Sequence, residues 1–391
     1  MPLTSPSPNA NVYATGEVSL SSVLSSPKIE HPEIRPKRTL PAEWAPQSAI
    51  QLTWPHEHTD WCDMLDEVGA TYLRLAYEIA TRQPLIVVHP DIAKLKAHLE
   101  HHLPNTAVEN IHFLQAPTND TWARDHAFLT VLSTEGAELL DFRFNGWGGK
   151  FEASKDNAIN QQLHEAGLVQ GRYIDYNDFE LEGGAIESDG CGTLLTTEEC
   201  LLNSNRRRQG DAIPTLDRQQ VEMLLQDRLG VDRVLWLANG YLAGDDTDSH
   251  IDTLARLAPR DTILYVRCTD ENDEHFSALQ AMEQELQNFR TAEGAPYRLL
   301  ALPMADACYD EDGERLPATY ANFLIMNHAV LYPTYNQPNK DKQARQVLQT
   351  AFPQHEIVGI DCRSLIRQHG SLHCVTMQYP RGVVPQSPSH P

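Results

Sequence analysis

Short apolar runs rich in β-branched residues recur through the body of the chain, and turn residues bound most of them. Runs of about four to eight such residues predict buried strands. We expect strands at residues 49–54, 84–89, 111–116, 127–132, 138–144, 192–197, 233–238, 262–268, 297–302, 323–326, 329–333 and 356–361.

Between several of these runs, apolar residues recur at a spacing of three to four positions, which predicts amphipathic helices. We expect helices at residues 60–82, 91–103, 155–166, 217–229, 274–290 and 340–352. Two or three strands followed by a helix recur about five times. This rhythm predicts an α/β protein and excludes an all-β sandwich and a helix bundle. By itself, it leaves open whether the strands form one open sheet or a closed array of small sheets.

The two ends of the chain differ in composition from its body. Residues 1–38 are rich in Ser and Pro and offer little to bury, so they predict a disordered leader. Residues 381–391 predict a flexible tail for the same reason. No Gly/Ser linker or charge run divides the part between them, so we expect residues 39–380 to form a single domain.

The charge of the chain narrows the choice of partner. Its 391 residues carry a net charge of −23, which argues against nucleic acid and anionic membranes, because phosphates are bound by Lys and Arg. A negative field favours a cationic small molecule, although many proteins are acidic for solubility alone. The seven cysteines form no close pairs, and no signal-peptide pattern or long apolar stretch is present. These features predict a reduced, cytoplasmic location.

Cys374 is the first candidate for chemistry. A buried cysteine is usually an inert, small apolar residue. Here Gly370 and Ser371 precede it, and His373 adds a polar side chain to a run that is otherwise typical of a buried strand. This setting, which the other six cysteines lack, favours a nucleophilic thiol.

A second candidate is the acidic segment 244–252, which carries four aspartates and His250. Asp248 or Ser249 could cap a helix that begins near His250. A cap does not explain four mutually repelling carboxylates, which indicate a bound cation. The spacing does not match the calcium loop of an EF-hand, so a cationic substrate is the better interpretation.

Two further motifs lie where predicted strands end. Arg124 and Asp125 follow one strand, either as a plain surface ion pair or as part of a site. Glu182 is followed by two glycines, which form either a tight turn or an opening that lets its carboxylate reach a cleft. Together with the thiol, the histidine and the aspartates, these carboxylates fit a planar guanidinium, which carboxylates bind in a bidentate manner.

Over about residues 41–380 the chain resembles the agmatine deiminase family, within the guanidino-group-modifying (pentein) superfamily, which also includes bacterial peptidylarginine deiminases. The resemblance rests on ordered motifs spread over the whole body. They are PAEW (41–44), WP (54–55), NDTWARD (119–125), FNGWGG (144–149), EGG (182–184), LTTEECLL (195–202), GDDTDSHID (244–252), YANF (320–323) and GSLHC (370–374).

The resemblance implies a fivefold pseudosymmetric α/β propeller of short mixed sheets and helices. It also implies roles for seven residues. Cys374 matches the nucleophile that forms a thiouronium intermediate, His250 the general acid and base, and Asp125 and Asp252 the carboxylates that hold the guanidinium. Glu182 matches the acid that hydrogen-bonds the guanidinium and orients the histidine. Trp122 and Asp246 match positions that meet the aliphatic chain and distal amine of the substrate.

The reaction implied is hydrolysis of agmatine to N-carbamoylputrescine and ammonia, a step in putrescine biosynthesis. It needs no metal and no organic cofactor, and the resemblance implies a homo-oligomer. Arginine or peptidylarginine is the alternative substrate. The chain departs from the common family pattern at His126, Glu187, Ser249 and His369, and these departures bear on the substrate.

Two other classes of protein are weighed against this interpretation. A metal-dependent amidohydrolase could use His369 and His373, but Gly370 and the strand-like context spoil the helical spacing that such ligands need. A non-catalytic polyamine-binding protein could keep the carboxylates, but it would have no use for Cys374 together with His250.

Overall fold

The computed structural model describes residues 37–206 and 216–385. In these ranges the strands are β1 (Gln47–Thr53), β2 (Leu85–His89), β3 (Ile111–Gln115), β4 (Leu129–Ser133), β5 (Gly136–Arg143), β6 (Arg172–Glu180), β7 (Ile186–Ser188), β8 (Thr193–Thr197), β9 (Arg233–Leu237), β10 (Ala255–Ala258), β11 (Thr262–Arg267), β12 (Arg298–Pro303), β13 (Cys308–Tyr309), β14 (Arg315–Leu316), β15 (Leu324–Ile325), β16 (Ala329–Thr334), β17 (Glu356–Asp361) and β18 (Thr376–Pro380).

The helices lie between these strands. They are α1 (Leu65–Ala80), α2 (Ile92–His102), α3 (Asn105–Val108), α4 (Ala123–His126), α5 (Gly146–Gly149), α6 (Ile159–Glu165), α7 (Glu198–Leu201), α8 (Arg218–Leu229), α9 (Phe276–Asn288) and α10 (Pro338–Ala351). Short 3-10 helices at Gly183–Ala185 and Ile251–Thr253 matter for the site. None of the described helices is long and apolar enough to cross a membrane.

Five small sheets repeat one connection pattern. Their strand orders are β18-β1-β2-β3, β4-β5-β6, β7-β8-β9, β10-β11-β12 and β15-β16-β17, beside a separate β13-β14 pair. In each sheet the first two strands pair antiparallel and the third pairs parallel with the second. A helical crossover joins the two parallel strands, as parallel pairing requires. The predicted α/β class and its fivefold repetition are confirmed.

The chain closes on itself through the first of these sheets. The late strand β18 pairs with the early strand β1, with Ile50 opposite Gln378. Both faces of β1 and β2 are largely buried, and β2 (LIVVH) is a nearly continuous apolar run, as expected for a strand in a parallel pair. The helices bury one stripe each, as Leu75 and Ile79 of α1 and Leu348 of α10 show.

Every predicted strand and long helix is present, with ends shifted by a few residues, but several short strands were missed. β7 and β10 are three and four residues long, and each carries a charged residue in its interior, Glu187 and Arg256. That charge breaks the apolar pattern on which the prediction depends. The longer strand β6 was also missed, because its sequence, RYIDYNDFE, is highly polar and it is only partly buried.

One expectation about local structure was wrong, and two of the alternatives that the sequence left open are excluded. Cys374 does not lie within a strand but in the turn before β18. No α-helix begins at His250, because Asp248 and Ser249 have φ of 65° and 64° and only a 3-10 turn follows. Arg124 and Asp125 are not a surface pair, since both are buried.

The predicted leader lies largely outside the described residues. Within them, Arg38 pairs with Glu138 of β5 at 2.6 Å. At the other end, Val383 is fully buried, and Arg381 donates its backbone N–H to Pro46. The domain boundaries at 38 and 381 stay a prediction.

Candidate active site

The five sheets each contribute a residue to one cluster, from the segment that leads into their first strand. Such segments meet at one edge of the repeat, so side chains far apart in sequence converge there. The contributing residues are Cys374 before β18, Asp125 before β4, Glu182 before β7, His250 and Asp252 before β10, and Asn322 before β15.

Cys374 lies buried at the centre of the cluster. Its Sγ is 3.2 Å from Nδ2 of Asn322 and 3.9 Å from Oδ2 of Asp252. Oδ1 of Asn322 accepts the backbone N–H groups of His373 and Cys374, at 2.8 and 3.3 Å, so this amide fixes the thiol-bearing turn. Burial raises the pKa of the Cys374 thiol well above its usual value, and the charges of Asp252 and Asp125 raise it further.

His250 faces Asp125, with Nδ1 3.7 Å from Oδ1. Its ring is buried, and neither ring nitrogen has a hydrogen-bond partner among the described residues. Burial would lower the pKa of His250, but Asp125, Cys200 and Glu182 raise it well above its usual value. A charged imidazole with unpartnered nitrogens is suited to exchange protons with a bound molecule.

Asp125 is held by two neutral donors. The indole N–H of Trp147 donates to Oδ2 and the backbone N–H of Gly184 to Oδ1, both at 3.1 Å. Burial raises the pKa of Asp125 to about 6, and His250 opposes the shift. Arg124 lies beneath the nucleophile turn and donates its backbone N–H to the carbonyl of Cys374.

Gly184 leaves room for the cluster, as the sequence prediction allowed. A Cβ at this position would lie 2.5 Å from Nδ1 of His250 and 2.9 Å from Oδ1 of Asp125. It would also lie 3.3 Å from Oδ2 of Asp252. Any side chain here would displace groups that surround the thiol.

Asp252 uses one carboxylate oxygen and leaves the other free. Oδ2 accepts from Nδ1 of His373 at 2.7 Å, whereas Oδ1 is buried and has no hydrogen-bond partner in the described part of the chain. Burial would raise the pKa of Asp252, but the hydrogen bond and charge of His373 lower it. An unpartnered, buried carboxylate oxygen requires a donor that a ligand could supply.

Glu182 is fully buried and lies beside His250, but its carboxylate is paired with Arg206, whose Nε is 2.6 Å away. Arg206 in turn binds Asp248 at 2.7 Å. The arginine thus ties the acidic segment 244–252 to the Glu182 turn. Sequence reasoning missed Arg206, although it lies just after the LTTEECLL motif.

A narrow pocket opens above the thiol, and we call it the substrate pocket. Of the residues predicted for the site, it is lined by Cys374, Asp125, Trp122 and Asp246. Its other lining residues are Asp60, Asp120, Trp147, Phe151, Thr247, Gln368, His369 and Gly370. His250, Glu182 and Asp252 lie behind this lining.

An aromatic wall shapes the substrate pocket. The ring of Trp122 packs at 5.7 Å from Trp61 and 6.1 Å from Trp147. A Cβ on Gly370 would lie 2.0 Å from the Trp122 ring. Gly370 is therefore required by its close packing on Trp122, in addition to its place in the pocket lining.

The substrate pocket is rich in carboxylates. Asp120 accepts from the indole N–H groups of Trp61 and Trp122, each at 2.9 Å. Burial and the neighbouring Asp60 raise the pKa of Asp120 to about 7. Asp246 also has a raised pKa, first through burial, with His369 opposing. Sequence reasoning missed Asp60, for which no local signal exists.

The departures from the family pattern fall into two groups. His126 turns to Thr53 at 3.1 Å, and Glu187 pairs with Arg256, so both lie outside the pocket lining. Ser249 occupies a left-handed conformation that glycine adopts more easily. His369 lines the substrate pocket and contacts the carbonyl of Gly244 at 2.8 Å.

Two groups of acidic, thiol and imidazole side chains are close enough to hold a metal ion, among the residues that the structure describes. They are Glu182, Cys200 and His250, and Glu43, Glu187 and His373. In both groups the carboxylates already form ion pairs with arginines. His369 and His373, the ligands of the amidohydrolase alternative, face different partners.

Residues 39–380 match the family described as Porphyromonas-type peptidyl-arginine deiminase. The chain belongs to this family. The solved structure of the "Putative Arginine Deiminase" of Porphyromonas gingivalis is 52% identical with a TM-score of 0.83, covering 89% of this chain and 100% of that one. A substrate-bound cysteine-to-serine variant of C. jejuni agmatine deiminase is 35% identical with a TM-score of 0.79, covering 88% and 97%.

A curated relative supports the same family. The "Putative agmatine deiminase" of Shewanella sp. strain W3-18-1 is 34% identical over 368 residues, which cover 88% of this chain and 94% of the relative. An amidinotransferase of Microseira wollei, 12% identical with a TM-score of 0.50, shares the fold alone. The deiminase-family chain is therefore an enzyme that acts on guanidino groups, and the binding-protein alternative is wrong.

Proposed function

We propose that the protein is an agmatine deiminase, which hydrolyses agmatine to N-carbamoylputrescine and ammonia. The observation that carries this proposal is the lining of the substrate pocket. Four carboxylates and the nucleophilic thiol share that lining, and no Lys or Arg side chain of the described residues belongs to it. The site therefore offers anions at both ends and no cationic partner for a carboxylate.

Electrostatics favours a dication over a zwitterion. The raised pKa of Asp120, about 7, follows from burial beside another carboxylate without a counter-cation. A bound amine would lower that cost, whereas the α-carboxylate of free arginine would increase it. Lys150 does not alter this balance, because it binds Asp248 and the backbone carbonyl of Asp246.

The proposed mechanism begins with the guanidinium held between Asp125 and Asp252. The free Oδ1 of Asp252 supplies one acceptor, and Asp125, fixed by Trp147 and Gly184, supplies the second. Trp122 packs on the aliphatic chain, and Asp246 binds the distal amine. Both carboxylates raise the pKa of the Cys374 thiol, so a bound cation that neutralises them favours the thiolate.

The thiolate of Cys374 attacks the central carbon, and His250 gives a proton to the departing ammonia, which leaves a thiouronium. Neutral His250 then takes a proton from water, the resulting hydroxide attacks the same carbon, and the C–S bond breaks. Glu182 holds His250 in its charged form, consistent with its contribution to the raised pKa of His250. The C. jejuni relative, which holds substrate once a cysteine is serine, supports a cysteine mechanism.

Arginine or peptidylarginine is the second candidate substrate, because the family description and the P. gingivalis relative name arginine deiminases. The test is ammonia release from agmatine, arginine, a C-terminal-arginine peptide and methylated arginine, each with Cys374→Ala as control. Release mainly from agmatine, lost in the variant, is the expected result. Release mainly from arginine or the peptide would refute agmatine as substrate while keeping the chemistry.

A further inference from the structure

A closed group of charged side chains lies directly behind the nucleophile turn, and we call it the rear network. Its members are Glu43, Glu187, Asp252, Arg256 and His373, all of them buried. Asp252 is the member that also faces the proposed guanidinium position. The other four contact neither the substrate pocket nor the thiol, so the proposed chemistry leaves their purpose unexplained.

Arg256 organises the network. Its side chain is fully buried, and it binds Glu43 at 2.6 Å and Glu187 at a shorter distance. It also donates to the carbonyls of Ala321 and Phe323, on either side of Asn322. Burying one guanidinium and two carboxylates is expensive unless each charge is paired, and both carboxylates are paired with Arg256.

His373 connects this arrangement to the site. Nδ1 donates to Oδ2 of Asp252 at 2.7 Å, and Nε2 lies 2.8 Å from Oε2 of Glu43 and 3.0 Å from Nη2 of Arg256. The second oxygen of Glu43 accepts the backbone N–H of Ile325 at 2.6 Å. The ring is thus fixed at both nitrogens, and so is the Asp252 oxygen that it holds.

We propose that Glu43 and His373 are positioning residues, which orient Asp252 so that its free oxygen meets the guanidinium. The contacts run from the backbone of Ile325 through Glu43 and His373 to Asp252, and end beside the thiol of Cys374. Glu43 lies in the early PAEW motif, so a segment far from the site in sequence sets its geometry. This inference rests on the proposed guanidinium chemistry, but not on which guanidino compound reacts.

Glu43 and Glu187 provide a matched pair for the test. Both are buried carboxylates bound to Arg256, but among the hydrogen bonds of the described residues only Glu43 reaches His373. A misplacement of about 1 Å costs about 10²-fold in rate. We expect Glu43→Gln to lower kcat about 10- to 100-fold with little change in KM, and Glu187→Gln to stay within about threefold of the parent. Equal losses in the two variants would refute the proposal.

His373 allows a second comparison. Asn places an amide near the Nδ1 position and keeps a donor to Asp252, whereas Gln places it near Nε2 and loses that donor. We expect His373→Asn to retain at least about a tenth of the parent kcat and His373→Gln to fall about 10²-fold. Equal loss in both would contradict an orienting hydrogen bond to Asp252.

Melting temperatures of all four variants show whether each one folds. If Glu43→Gln fails to fold while Glu187→Gln folds, the role of Glu43 is structural and the proposal is wrong. The assays use agmatine and whichever guanidino compound the parent enzyme turns over fastest. A parent that prefers another compound refutes the proposed substrate, and the variants then test positioning on that compound.

Discussion

The two sides of Cys374 treat carboxylates in opposite ways. In the rear network, Glu43 and Glu187 are paired with Arg256. In the substrate pocket, Asp120 and Asp125 receive hydrogen bonds from indole and backbone N–H groups, and no described Lys or Arg lines the pocket.

The pKa of Glu43 and those of the pocket carboxylates show this difference, whereas burial raises the pKa of Glu187 despite its pairing with Arg256. Burial would raise the pKa of Glu43, but His373 and Arg256 lower it well below its usual range. Burial raises the pKa of Asp120 to about 7 and that of Asp125 to about 6. Pairing with Arg256 therefore distinguishes Glu43 and Glu187 from the pocket carboxylates, which have no such partner and suit the cation that we propose to bind there.

The largest effect is expected at Cys374, which lies between the two sides. Cys374→Ala is expected to lower kcat by about 10⁴-fold or more, because the proposed covalent intermediate forms on this thiol. Binding should survive, since the carboxylates remain. Single-turnover ammonia release and calorimetric titration with agmatine measure the two effects.

Cys268→Ala is the matched control, because Cys268 is a comparably buried cysteine whose thiol contacts the backbone carbonyl of Asp270 and does not line the substrate pocket. It should change stability and leave kcat within about twofold. If Cys374→Ala kept more than a hundredth of the parent kcat, the nucleophile would lie elsewhere, and Cys200 beside His250 would be the next residue to change.

Asp125→Asn tests the unpaired side at the guanidinium. Removing one of the two negative charges that are proposed to bind the guanidinium should lower kcat/KM about 10²- to 10³-fold. In the parent enzyme, the pKa of Asp125 near 6 means that its charge, and with it activity, is lost as pH falls through about 6. A pH profile of kcat/KM that stays flat down to pH 5 would contradict a charged Asp125 that binds the guanidinium.

How far sequence alone could predict this comparison depends on the range of each signal. Strand β17 was predicted with its ends in place, since its apolar pattern is local. The rear network was not predictable, because Arg256 meets Glu43 across 213 positions and an arginine in a short strand is not expected to be buried. The sequence shows that His373 is a polar residue in an apolar run, but it does not indicate which side chains His373 contacts.

The site shows the same division. The family resemblance predicted roles for Cys374, His250, Asp125 and Asp252, because each of them lies in a short continuous motif that can be recognised in the sequence. Asn322 lies in the YANF motif (320–323), but the sequence indicated no role for it. In the structure its side-chain amide contacts the Cys374 thiol. Such a role depends on which turns the fivefold repeat brings together, which no local pattern encodes.

Asp246→Asn sharpens the comparison at the far end of the substrate pocket. We expect the KM for agmatine to rise about tenfold with kcat nearly unchanged, since one partner of the distal amine is lost. Butylguanidine, which lacks that amine, provides the control, because its KM should be the same for parent and variant. An equal rise for both compounds would show that Asp246 supports the pocket rather than binding an amine.

The smallest expected effect concerns stability, for which Glu43 and Asp252 should respond to pH with the opposite sign to Asp120 and Asp125. Glu187, whose pKa burial raises, should follow the pocket carboxylates. The pKa values of Asp120 and Asp125 are raised in the folded state, so the folded protein binds more protons than the unfolded chain between about pH 4 and 7. Stability from this side therefore falls as pH rises through that window. Glu43 and Asp252 have lowered pKa values, so their contribution is present above about pH 4.5 and is lost in acid.

A bound cation should remove only the loss of stability that comes from the unpaired carboxylates of the substrate pocket. With Cys374→Ala to prevent turnover, agmatine should raise the melting temperature by several degrees at pH 8 and by clearly less at pH 5, where Asp120 and Asp125 are largely protonated. Differential scanning fluorimetry at matched ionic strength measures the shift. Asp120→Asn should reduce the pH 8 shift, whereas Glu187→Gln, a change on the paired side, should leave it unaltered. A shift that is equal at both pH values would mean that the pocket carboxylates do not carry the binding energy.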